Sequence, residues 1–445
     1  MTERNQGVLF QSSVIGHGYI GKVEVESEGP TRQTQRWLRV TFLLLLVFGC
    51  SREPGDLTAQ VEELVRDGDS QAALVLVESR LEQAPRDNIA RLLKVKLLIH
   101  ARAVDEALEE YQEMWKIQGD PHADLLDHIL SAYLVEEVNA GGSSRLRAAP
   151  LVAHLTDPAI LPLLYELASK GDRAARTVAL DALSRRGSKP VIPFLAFLLK
   201  DPDPYIRAQA ARGLGRLGAD VAKPKLTRLL HDDWEVVRFA AAEGLIRLGD
   251  RRATPVLLQA LRSSQASMRM QAAEVLGALA VQEAAPTLLA TLDDSDNYVR
   301  LYAAQALVQL GEPEGLVVLR RTLQHASLSL RLYAAEALAN LRDGTPRFWL
   351  HRVVADPAMP KGIRLNAAWI LGRLDDSSGI RHIGGLLQDA DPYVRLRTAW
   401  TLGEIGDPEA SLVLRSALGD RERTVRIHAA WALDRLLRQR ARVRG

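Results

Sequence analysis

Cys50 is the only cysteine among 445 residues. A lone thiol has no partner for an internal disulfide and cannot build a multi-cysteine zinc site. Its chemistry is that of a modifiable nucleophile or of an inert core side chain. Its surroundings favour the first. Arg32, Arg36 and Arg39 precede an apolar run at 40–48, and Gly49 stands before the cysteine. A basic stretch, about ten apolar residues and a small residue form the layout of a secretory signal. The run is too short to span a bilayer, which takes about 20 apolar residues. The other readings are a cleaved or uncleaved secretion signal without lipid, and a short buried helix with a core cysteine.

The remaining candidates for chemistry are scattered. The ten histidines show no ligand spacing, and no His-Glu dipeptide occurs. Gly213, Gly215 and Gly218 match G-x-G-x-x-G as text, but they end a helix instead of joining a strand to one. Neither a Walker A string nor a G-x-S-x-G elbow is present. No cofactor, metal or small-molecule substrate is therefore expected, and no catalytic residue is assigned. Lys plus Arg is 57 against 55 for Asp plus Glu, a net charge of +2. That balance argues against a nucleic-acid partner.

Arginine is the residue with a rhythm. Arg176, Arg207, Arg238, Arg269, Arg300, Arg331, Arg364, Arg395 and Arg426 stand 31 apart, except for one interval of 33. Arg145, with Ala148 and Ala149, is a possible degenerate first copy. Such a series is either a ladder of anion ligands or a set of internal bonds to turn carboxylates and carbonyls. Acidic residues before most of them favour internal bonds.

Prolines keep the same period at Pro162, Pro193, Pro224, Pro255 and Pro286. They start a first helix, where the missing N–H is harmless. A second helix follows each Asp-rich turn, and in one repeat Val237, Ala241, Leu245 and Leu248 make its core stripe. Gly187, Gly218, Gly249, Gly311 and Gly406 fall where a left-handed C-cap is needed. A fixed period over nine copies defines a solenoid. The repeat over residues 140–440 resembles the short HEAT repeats first associated with phycobilin lyases. The resemblance implies an all-α fold, an α-solenoid superhelix of about nine to ten two-helix repeats, with a concave surface for protein partners.

Counting the arginine as zero, position +5 lies nearly opposite the core stripe of the second helix. It reads Asp181, Arg212, Glu243, Glu274, Gln305, Glu336, Trp369, Trp400 and Trp431. Six polar residues suggest a solvated face. The three tryptophans either fill a gap between helices or form an exposed ladder for a partner. Glu243, Glu274 and Glu336 would orient a basic partner, and Tyr302 and Tyr333 at +2 would extend the surface.

Residues 58–136 carry a different pattern. Ala73-Leu74 recurs as Ala107-Leu108, 34 residues on. That interval resembles about two tetratricopeptide repeats, and a plain helical bundle is the alternative. Either serves for interaction or capping. Arg435, Arg438, Arg440, Arg442 and Arg444 form a basic end, with 441–445 read as a tail for anionic lipid or as a frayed helix.

The string Val47-Phe48-Gly49-Cys50 resembles the lipobox of bacterial lipoproteins, with Phe48 larger than usual. The resemblance implies that 1–49 is removed, that Cys50 is acylated and that 50–57 is a tether to a membrane. Ser51 after the cysteine leans towards the periplasmic face of the outer membrane. The leader is long, and no Met stands between Met1 and Met114, so a downstream start is expected. The reading is a membrane-anchored, non-catalytic scaffold for protein partners. Its rival is a cytoplasmic protein of phycobilin-lyase type, or an enzyme-regulatory subunit, with a misassigned start.

Overall fold

The computed structural model describes residues 56–119, 123–140, 151, 160–187 and 189–444. Every regular element among them is helical. Five helices come first: α1 (Leu57–Arg66), α2 (Ser70–Gln83), α3 (Asn88–His100), α4 (Val104–Gln118) and α5 (Ala123–Ala140). Ala73 and Ala107, the recurring pair, are both fully buried in α2 and α4.

Nine two-helix repeats follow. The first helices are α6 (Leu161–Lys170), α8 (Val191–Leu198), α10 (Lys223–Leu229), α12 (Thr254–Ala260), α14 (Ala285–Thr291), α16 (Glu314–Thr322), α18 (Arg347–Ala355), α20 (Ile380–Ile383) and α22 (Ala410–Ala417). The second helices are α7 (Arg173–Arg185), α9 (Pro204–Arg216), α11 (Glu235–Arg247), α13 (Ala266–Ala278), α15 (Asn297–Leu310), α17 (Leu328–Asn340), α19 (Lys361–Arg373), α21 (Pro392–Ile405) and α23 (Arg423–Arg444). Adjacent second helices pack against one another, most loosely between α11 and α13, and most also pack against the first helix of their own repeat. The fold is an α-solenoid.

Local chemistry fixes the ends of these helices. Pro162, Pro224, Pro255 and Pro286 sit in the first turn of their helices. Asp172, Asp203, Asp296 and Asp391 cap second helices by accepting backbone N–H bonds. The glycine phase has positive φ at all five predicted positions. It continues where glycine is absent: Ala280, Arg342 and Asp375 take φ of 50°, 58° and 58°. The turn thus imposes the left-handed cap even on residues with a Cβ.

The arginine series makes internal bonds. Arg207 Nε and Nη2 donate to Asp232 at 3.0 and 2.9 Å, and Nη1 donates to the carbonyls of Asp201 and Pro202. Arg176–Asp201, Arg269–Asp294 and Arg395–Asp420 repeat the pairing 25 residues on. Each pair ties one repeat to the next, with a bidentate geometry that lysine does not offer. Hydrogen bonds from Arg269 hold Asp294 below the usual carboxylate range.

Candidate interaction surfaces

The +5 row does not face solvent. Glu243, Trp369 and Trp431 are only 6%, 8% and 2% exposed, and Glu274, Glu336 and Trp400 are half-buried. This corrects the expectation of a solvated face, and of the two readings of the tryptophans it fits the filling of a gap between helices. An isolated second helix would leave +5 in water, but in the array that helix is flanked on both sides. Small residues let the flanks close: a Cβ on Gly215 would lie 2.6 Å from the Gly244 Cα.

Within this inner seam, like positions touch like. Arg212 Nε donates to Glu243 at 3.0 Å, across 31 residues, and Arg247 Nη2 donates to Glu243 at 2.9 Å. The Trp369 and Trp400 rings lie 6.3 Å apart, and those of Tyr302 and Tyr333 lie 5.0 Å apart. Position +9, one turn on, serves both halves of the row. Arg247 neutralises Glu243, while Arg373 and Arg435 sit 5.4 and 5.7 Å over Trp369 and Trp431. Burial, then the charge of Glu243, raises the Glu274 carboxyl above its ordinary value. Burial pushes the Tyr302 hydroxyl up to about 12. Tyr333, half-buried beside it, is raised well above 10 by the same cause. The expected partner-binding row is thus largely occupied by its own neighbours.

A different row faces outwards. The proline phase continues past Pro286 as Val317, Phe348, Arg381 and Leu412, at intervals of 31, 31, 33 and 31. Val317, Phe348 and Leu412 are 65%, 75% and 80% exposed. Residues of one phase lie side by side in a solenoid, so the last four repeats carry an apolar strip on their first helices, interrupted by Arg381. The signal was available in the sequence, because the proline register runs straight into these positions.

The N-terminal helices meet the far end of the array. Helix α5 packs against α23, and a single apolar core runs from Val95 to Leu437. Arg426 Nη1 donates to the Asp420 carbonyl, as other ladder arginines do to their turns. Its Nη2 donates to Asp105, from the start of α4, at 2.5 Å, where other rungs grip an aspartate 25 residues on, and Asp105 also accepts from the Tyr133 hydroxyl. Arg423 stacks 4.9 Å over Tyr133 and pairs with Glu136, and Arg415 stacks 4.9 Å over Trp115. Arg438 reaches Asp127 at 3.1 Å and Asp434 at 2.9 Å. Burial, opposed by Arg438, raises Asp434 to about 6. Two residues of the expected basic tail, Arg435 and Arg438, are therefore ion-paired within a helix that reaches Arg444.

Comparison with protein families matches residues 193–274, 254–339 and 380–442 to HEAT repeats. Over those residues the solenoid matches HEAT repeats. No curated protein matches the chain. Among solved structures, it is similar to the complex of CpcE and CpcF of phycocyanin lyase from Nostoc sp. PCC7120, at 25% identity over 50% of this chain and 92% of that one, with a TM-score of 0.35. It is also similar to human deoxyhypusine hydroxylase, at 19% identity over 71% and 98%, TM-score 0.28. A third is Kap121p bound to Nup53p, at 14% identity over 82% and 45%, TM-score 0.31.

Among the described residues, no group of three or more His, Cys, Asp or Glu could bind a metal ion. No described helix is long and apolar enough to cross a membrane. The leader 1–49, Cys50 and most of the tether, and the candidate first copy at Arg145, lie outside the described residues.

Proposed function

We propose that this chain is a scaffold for protein–protein contact, held at the bacterial outer membrane by acylated Cys50 and without chemistry of its own. The observation that carries the scaffold reading is the exposed apolar strip of Val317, Phe348 and Leu412 on three of the last four described repeats. Large apolar side chains lined up on one surface mark interaction sites, whereas scattered ones need no explanation. The lipobox-like string carries the anchoring. Two acyl chains on one cysteine give durable attachment, at about 0.8 kcal/mol per buried methylene.

Two measurements test the two halves. Mass spectrometry of the membrane-fraction protein should find a mature N-terminus at acylated Cys50. An intact, unlipidated chain in the cytosol would overturn the anchoring. Crosslinking in the envelope, compared between wild type and the Phe348→Ser/Leu412→Ser double variant, tests the strip. A specific crosslinked partner should be reduced at least tenfold in the variant, while its melting temperature stays within a few degrees of wild type. Equal crosslinking would remove the strip from the reading.

A further inference from the structure

The arginine ladder has an unfilled rung that opens on a cleft. At Arg207, Arg269 and Arg395 the arrangement is constant. Nη1 donates to two carbonyls of the preceding turn, and Nε and Nη2 grip an aspartate 25 residues on. At Arg300 the first half persists, with Nη1 donating to the Asp294 and Ser295 carbonyls at 2.5 and 3.3 Å. The second half does not. The residue 25 positions on is His325, and Nη2 turns to the neutral amide oxygen of Asn297. Asp294 is already held by Arg269. No carboxylate among the described residues pairs with Arg300.

Three other rungs depart from the pairing in different ways. Beside Arg238 the equivalent residue is Ser263, which donates to Glu235 and so brings a carboxylate to the turn. Asp356 and Asp389 do stand 25 residues after Arg331 and Arg364. Lys361 holds Asp389, Arg364 bonds the Val354 and His382 carbonyls, and Arg331 lies 5.2 Å over Trp349. Arg300 instead lines a half-open cleft of about 340 Å³ with Asn297, Arg321, Thr322, Gln324 and His325. Its apolar side is made of leucine and valine side chains. Arg321 is exposed and makes no ion pair among the described residues. His325 Nδ1 accepts the Ser327 N–H at 3.0 Å, which leaves Nε2 as the N–H donor of the neutral ring. Two guanidinium groups, an imidazole N–H and two amides thus border one cavity with no anion of the chain in it.

We infer that this cleft binds a carboxylate, borne by an acidic side chain of a partner or by a small organic acid, where the following repeat supplies an aspartate elsewhere. The planar edge of a guanidinium matches a carboxylate with two parallel N–H bonds, and the ladder itself displays that geometry at Arg207, Arg269 and Arg395. The inference stands apart from the outer strip and does not depend on it.

Titration calorimetry of the full chain tests it with succinate, with a blocked pentapeptide bearing one central aspartate, and with inorganic phosphate. At least one carboxylate probe should bind, more tightly than phosphate, and Arg300→Gln should weaken it at least tenfold. His325→Asp restores the rung from within, so it should abolish binding and raise the melting temperature. Tighter binding of the peptide assigns the carboxylate to a partner protein, and tighter binding of succinate assigns it to a free acid. Failure of both carboxylate probes to bind at millimolar concentration, phosphate binding as well as they do, or unchanged binding in His325→Asp would each overturn the inference.

Discussion

At Trp431 the environment, not the sequence position, decides the role. Its ring is 2% exposed, with Arg435 over one face. Trp431→Ala should therefore cost about 3–5 kcal/mol, the usual range for emptying an aromatic core site. Urea denaturation measures it, and a loss below about 1 kcal/mol would return the residue to the surface. The arginine series was legible because acidic residues sit just ahead of most members, so an internal partner was at hand. The +5 row was misleading for a specific reason. Helical periodicity gives the direction of a side chain on its own helix, but not which other helices stand in that direction. Trp369 and Glu243 point away from their own first helices and into neighbouring second helices.

At the level of the helix, the period read from arginine, proline and glycine fixes where second helices end. The boundaries follow because each terminus needs a particular backbone state: a proline-compatible first turn, an aspartate cap and a left-handed exit. The exits at Ala280, Arg342 and Asp375 were not legible, because their residue types hide the state they adopt. Ala280→Gly keeps the geometry and removes the Cβ strain, so it should stabilise the chain by about 1 kcal/mol. A chemical-denaturation midpoint higher than wild type is the expected result, and a lower one would show that the exit is not strained. The outer strip was legible too, since Val317, Phe348 and Leu412 keep the proline register.

For the molecule as a whole, the contact between its first helices and its last repeat could not be read from the sequence. Asp105 and Arg426 are 321 residues apart, and no local pattern records a pairing at that range. The contact carries a pH signature. Asp434 is 6% exposed, and its folded pKa of about 6 lies above the ordinary 3.8. A raised carboxyl favours the protonated form in the fold, so the associated stability is full below about pH 4 and is lost as pH rises through 6. Glu274 is shifted in the same direction. Asp201, Asp232, Asp294 and Asp420 are shifted down, so their contributions are lost only in stronger acid. Stability should therefore rise between pH 7 and pH 5, by roughly 1 kcal/mol from Asp434. Asp434→Asn should remove most of that slope in thermal melts across the range, and an unchanged slope would show that Asp434 is not its source. Making the last repeat depend on the first helices has a consequence during synthesis. The segment that completes the Arg426 rung leaves the ribosome first and must wait for roughly 300 further residues before its partner emerges. The final docking is therefore the contact with the longest loop to close, and it should be the last step of folding and the first to open under load.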